Sequence, residues 1–130
     1  MASDSSPNAG DLSTAVIGAA MYVHDELGPG LFERLYAHCL ADELRTRGLA
    51  VERELELPVL WRGKPLPAAY RLDMLVEHRL VVEVKTVAKL TELHDAQVRT
   101  YLRLTGCRLG LLLNFHTPRM RLGFRRVSPI

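Results

Sequence analysis

Three ionisable residues lie within reach of one another in an apolar stretch of the chain: Asp73, and ten positions later Glu83 and Lys85 in Val81-Val82-Glu83-Val84-Lys85. Side chains alternate along a strand, so Glu83 and Lys85 share one side while Val82 and Val84 take the other. A hairpin of Tyr70 to Val76 and Leu80 to Lys85, turning through Glu77, His78 and Arg79, pairs Val76 with Leu80. Counting outward sets Asp73 opposite Glu83 and Arg71 opposite Lys85, with cross-strand Cβ atoms ~5 Å apart. Two carboxylates that close repel unless positive charge sits between them. Lys85 supplies part of it, and a divalent cation that prefers oxygen ligands, Mg2+ or Mn2+, supplies the rest. The lysine then orients or deprotonates a water for attack on phosphorus. The competing reading is a solvated, salt-bridged sheet face. Leu75 and Val81 fall on the same face nearer the turn, which argues for a covering helix.

Two further residues bear on that choice. Gln97 shares a helical stripe with Leu93, Tyr101 and Leu104, so the apolar side of its helix carries an amide that needs a polar partner. The Asp73, Glu83 and Lys85 cluster offers one; a backbone partner in the core is the alternative. Glu33 follows Gly28-Pro29-Gly30 in the first turn of a helix, where the dipole favours an acid whatever its function. The five histidines show no close ligand spacing, and only His94, one turn before Gln97, falls near the cluster.

Periodicity gives the elements that position these groups. Ser13 to Leu27 reads as a helix with Val16, Ile17, Ala20, Val23 and Leu27 on one side, and a second runs from Leu31 to Arg47 before Gly48. From Val51 to Val59 the period changes to two, with Pro58 placing the far end at an edge or bulge. Arg62-Gly63-Lys64 is a turn, and the hairpin described above follows. Thr91 to Thr105 is helical and closed by Gly106. Arg108 to Leu113 is an apolar strand of the kind buried on both faces, and Arg119 to Val127 adds an edge strand. The order helix, helix, three strands, helix, strand predicts an α/β sandwich on a mixed sheet.

The chain has 130 residues, enough for one core, with 48% hydrophobic and 25% charged residues, which excludes a disordered or coiled-coil protein. Residues 1–12 are expected to be a disordered tail, and 13–130 a single domain. Cys39 and Cys107 have neither disulfide-framework nor zinc spacing, so a reducing, cytoplasmic compartment is expected. No apolar run approaches the ~20 residues needed to cross a bilayer. The net charge of +2 hides an asymmetry: residues 1–30 carry four acids and no Lys or Arg, whereas 101–130 carry six arginines and no acid. That end is a candidate phosphate-contact surface.

Gly30-Leu31-Phe32-Glu33-Arg34-Leu35-Tyr36 resembles the signature of the GxxExxY proteins, small domains of the PD-(D/E)XK nuclease superfamily. The similarity covers Val16 to Val127 and includes Leu27-Gly28-Pro29-Gly30, Asp73 with Glu83-Val84-Lys85, the Ala96-Gln97 to Tyr101-Leu102 helix, and Leu111 to Phe115. It implies a restriction-endonuclease-like three-layer sandwich, a mixed central sheet flanked by helices. By analogy Asp73 and Glu83 bind the metal with the Val84 carbonyl, and Lys85 positions the attacking water. Glu33 resembles the superfamily's helical acid, which completes the metal shell, and Gln97 the glutamine that follows Glu-x-Lys in resolvase-like members. Tyr36 and Tyr101 are expected to pack or hydrogen-bond rather than react. Leu72 stands where proline often precedes the aspartate.

Two functions follow. One is a Mg2+- or Mn2+-dependent phosphodiesterase acting on nucleic acid, DNA being the expected substrate, with the arginines on flanking phosphates. The other is a catalytically silent module of the same fold that binds nucleic acid or a protein. Modest charge and 6% aromatic residues favour a homodimer or a partner subunit to complete a binding groove.

Overall fold

The computed structural model describes residues 8–130 and forms three layers around a five-stranded sheet of order β1-β2-β3-β4-β5. Helix α1 (Ala9–Leu27) is capped by Asn8, whose side chain accepts the Asp11 N–H at 2.8 Å. It therefore starts earlier than the sequence pattern suggested, and Leu12 is already buried; the rest of the expected tail, residues 1–7, lies outside the described residues. Helix α2 (Glu33–Thr46) follows the Gly28–Phe32 loop. Both helices cover one face of the sheet, where Val16, Ala20, Tyr36, Leu40 and Leu44 pack on Met74, Val82, Val84, Leu111 and Leu113. Helix α3 (Glu92–Thr105) covers the other, with Val98, Tyr101 and Leu102 on Leu75, Val81 and Leu112.

Strands β3 (Leu80–Lys85) and β4 (Leu109–Asn114) are parallel neighbours linked through α3, and nearly all their residues are buried because helices cover both faces. Gly110 makes the α3 contact close: a Cβ there would collide with Val98 Cγ1. The last segment forms a 3-10 turn, Met120–Leu122, before the antiparallel edge strand β5 (Phe124–Val127). No helix among the described residues is long and apolar enough to cross a membrane.

The first two strands depart furthest from expectation. β1 (Val51–Trp61) and β2 (Lys64–Val76) form one long antiparallel hairpin, closed by Arg62 and Gly63 at φ 51° and 77°. Positive φ at both turn residues matches the twist of the flanking strands. The pairing extends well before Tyr70, and its register shifts between Pro58 and Leu60, so β1 has both the edge position and the bulge that Pro58 signalled. A second break falls at Asp73. Met74 packs with α1 and α2 but Leu72 packs with α3, although residues two apart on a regular strand share a face. Opposite Asp73 the regular pairing is interrupted at Glu54, whose φ is 52°. A non-glycine residue in that region inside a strand marks a local distortion, and here the hairpin turns over.

Candidate active site

β2 and β3 part at this break. Their ladder runs through Val76 with Leu80, Leu75 with Val81 and Met74 with Val82, as a three-residue loop requires, and then ends. Beyond it side chains replace the rungs: Glu83 Oε1 accepts the Asp73 N–H at 2.9 Å, and Asp73 Oδ2 accepts the Val84 N–H at 2.8 Å. Each acid thus bonds the other strand's backbone, and both carboxylates converge in the gap. Arg71 does not reach the position opposite Lys85. With the strands separated, its guanidinium turns to Glu56 on β1, 3.1 Å away.

Glu83 is 3% exposed and is held between strands, with Lys85 Nζ 3.8 Å from its Oε2. Lys85 also donates to Gln97 Oε1 at 2.9 Å. The amide on α3 has found its polar partner in the cluster, and it fixes the amine beside the acids. The stripe that predicted this is displaced by one position, however. Val98, Tyr101 and Leu102 are the buried residues, while Leu93 is exposed at the start of the helix.

Electrostatics mark the pair as unusual. Burial, then the negative charge of Asp73, push the Glu83 carboxyl up from 4.5 to about 8, against the Asp73 N–H and Lys85. Asp73 is raised as well, chiefly by burial, against the Val84 N–H, Lys85 and Arg53. Glu33 feels both centres: partial burial and Asp73 raise it, Lys85 and the Thr86 N–H lower it. It borders the pair without joining it, since among the described residues no three His, Cys, Asp or Glu side chains group as a metal cage. The reading of Glu33 as completing a metal shell therefore has no direct geometric counterpart.

Val84 contributes through its backbone. Its N–H points toward β2, and in an extended strand a residue's C=O points to the same neighbour, here into the gap where the ladder has ended. Buried carboxylates that repel each other, an adjacent backbone carbonyl and a single amine make an oxygen-rich donor set suited to a hard dication.

Tyr36 and Tyr101 hold the surroundings. Tyr36, fully buried and stacked on Phe115 with centroids 4.5 Å apart, donates its hydroxyl to the Gly28 carbonyl and accepts the Leu31 N–H at 3.1 Å. It pins the loop that delivers Glu33, which gives the Gly-x-x-Glu-x-x-Tyr spacing a mechanical meaning. Tyr36→Phe removes both bonds and leaves two backbone groups short of a partner; a loss of about 1–3 kcal/mol in urea unfolding is expected, with unchanged helix content. Tyr101 is raised by burial and by Glu83 and Asp73, so its phenol stays protonated and donates to the Arg71 carbonyl at 3.4 Å.

His94 is engaged in the capping of α3, where its Nδ1 accepts the Thr91 N–H at 2.9 Å. The arginine-rich end is partly committed internally, Arg125 to Asp95 at 2.9 and 3.0 Å and Arg126 to Ser13 and Thr14. Arg53, on β1 beside Asp73, escaped the sequence reading. Its alternation with Glu52 and Glu54 sets it on the same side of the strand as Val51, Leu55 and Leu57, which gives no sign of the acids, and only the turned hairpin brings it to them. Asn114, buried at the end of β4, accepts the Val87 and His116 N–H groups and donates to the Val87 carbonyl, tying down the chain just past Lys85.

A family model described as the PD-(D/E)XK nuclease superfamily matches residues 10–127. No curated protein and no solved structure matches the chain.

Proposed function

The chain belongs to the PD-(D/E)XK nuclease superfamily, and from that premise we propose that it is a metal-dependent phosphodiesterase that cuts nucleic acid, DNA in the first instance, with Gly30–Tyr36 marking the GxxExxY branch. The observation that carries this reading is the reciprocal engagement of Asp73 and Glu83 across the parted strands, with Lys85 beside them. Asp73, Glu83 and the Val84 carbonyl would hold Mg2+ or Mn2+, with Glu33 at the margin. The ion supplies charge neutralisation at a phosphoryl oxygen and a better nucleophile from water.

The chain's own groups do the rest. Lys85, held by Gln97, orients the water on the side of the acids and supplies positive charge to the phosphate as it gains negative charge. Arg53 offers a second cation near Asp73. Glu83, backed by Val81 and Leu112, is walled off from bulk water on the α3 side, so each charge acts at low dielectric.

The test is cleavage of single-stranded, duplex and branched DNA, and of RNA, in Mg2+ or Mn2+, with Asp73→Asn as control. Metal-dependent cutting that the variant abolishes supports the reading; no cutting of any substrate by the parent overturns it and leaves the silent module. A direct check on the ion is thermal unfolding at pH 8. Millimolar Mn2+ should raise Tm by several degrees in the parent, a linkage effect of about 1–3 kcal/mol when the ion is well above its Kd, and EDTA should reverse it.

A further inference from the structure

The distal part of the β1–β2 hairpin carries side chains that the core does not use. Residues 57–70 contain Arg62 and Lys64 and no acid, while Arg71 at the base of the arm is paired with Glu56. Trp61 is 63% exposed and Leu60 61%, with Leu66 and Tyr70 also open to solvent. At the tip the Arg62 guanidinium lies 5.3 Å from the Trp61 ring centroid. The turn gives up a local preference to achieve this: its first residue has φ 51°, where asparagine or glycine is favoured, yet the chain places arginine there. Contiguous exposed apolar groups mark an interaction surface, and an aromatic ring with a guanidinium beside it is matched to a polyanion with flat faces.

The arm is continuous with the candidate site. Lys64 lies nine residues from Asp73 along β2, at most ~30 Å at ~3.3 Å per residue. Near its base, the Tyr70 ring meets the Tyr101 ring edge-on at 5.8 Å, and Tyr101 feels the charges of Glu83 and Asp73. A strand whose phosphate lay at the acids would have several neighbouring nucleotides within the arm's length.

We propose that the arm binds the unpaired part of the substrate, stacking a nucleobase on Trp61 while Arg62 and Lys64 hold the adjoining phosphates. This deepens the phosphodiesterase reading and rests on it for the substrate class. It makes single-stranded or branched nucleic acid, rather than uninterrupted duplex, the preferred ligand, because a stacked base in a duplex has no free face to offer.

Trp61 is the only tryptophan in the chain, so its emission reports on the arm alone. Full-length protein carrying Lys85→Ala, titrated without metal with a single-stranded 12-mer of thymidylate, is expected to show saturable quenching. A 12-base-pair duplex is expected to quench weakly. Trp61→Ala should weaken binding of a dye-labelled 12-mer ~5- to 100-fold and Trp61→Phe much less, as stacking predicts. The Arg62→Ala, Lys64→Ala double variant should flatten the salt dependence by about one to two in log–log slope. No quenching by the single strand, or equal binding by parent and Trp61→Ala, overturns the proposal. So does an emission change that tracks protein concentration without DNA and accompanies dimerisation in sedimentation, which would make a second copy the occupant. Hydrolysis of bis(p-nitrophenyl) phosphate, too small to reach the arm, separates the two claims. Hydrolysis without quenching defeats the arm alone, and quenching without any hydrolysis defeats the phosphodiesterase reading alone.

Discussion

Lys85→Ala is expected to lower kcat by ~10²- to 10⁴-fold while leaving the Mn2+-induced rise in Tm in place. The amine is not an ion ligand. It sits 3.8 Å from Glu83 and is aimed by Gln97, so its loss removes orientation and positive charge from the reacting centre but leaves both carboxylates free to bind. Asp73→Asn behaves differently, losing activity and the metal-linked stabilisation together. Single-turnover cleavage and thermal unfolding, run in parallel on the two variants, check this division of labour. Equal loss of metal stabilisation in both would show that Lys85 acts structurally.

Glu83→Gln should abolish cleavage and, without metal, make the protein more stable at pH 8. In the folded state the Glu83 carboxyl keeps its proton to about pH 8, whereas its ordinary value is 4.5. Between these values the folded state binds more protons than the unfolded one, so stability contributed by the neutral carboxyl is complete below pH 4.5 and is lost as pH rises toward 8. Glutamine keeps an oxygen that can accept the Asp73 N–H but never acquires the charge. Parent and variant should therefore be close in stability at pH 5, and by pH 8 the variant should lead by about 1–3 kcal/mol. Mn2+ should close that gap by stabilising only the parent. Urea denaturation at the two pH values, with and without Mn2+, measures all four terms; a variant less stable than the parent at pH 8 without metal would contradict the assignment.

The sequence carried the site further than its surroundings. Alternation in Val81 to Lys85 and a three-residue loop were enough to fix the ladder as far as Met74 with Val82, because register in a short hairpin is set by turn length; beyond it Asp73 and Glu83 meet through side-chain bonds to backbone rather than as the counted cross-strand pair. Gln97 was identified by a polar residue on an apolar helix face. The arm was not, because Pro65, Pro67 and the small Ala68 and Ala69 give no period-two pattern, and the register against β1 shifts between Pro65 and Ala69. Arg53 was hidden for a related reason. Facing depends on regular strand geometry, and the break at Glu54 and Asp73 reverses it locally. The start of α1 was set by one side-chain cap at Asn8, which composition alone reads as part of a polar tail.

The bare α-carbon of Gly110 ties the height of a helix to the aim of an amine. Val98 rests on it, and Gln97 is the preceding residue on the same helix. Even a methyl group at 110 would act as a shim beneath α3, prising the amide away from Lys85. A position that touches neither Lys85 nor the two acids is thereby part of the alignment of the candidate site.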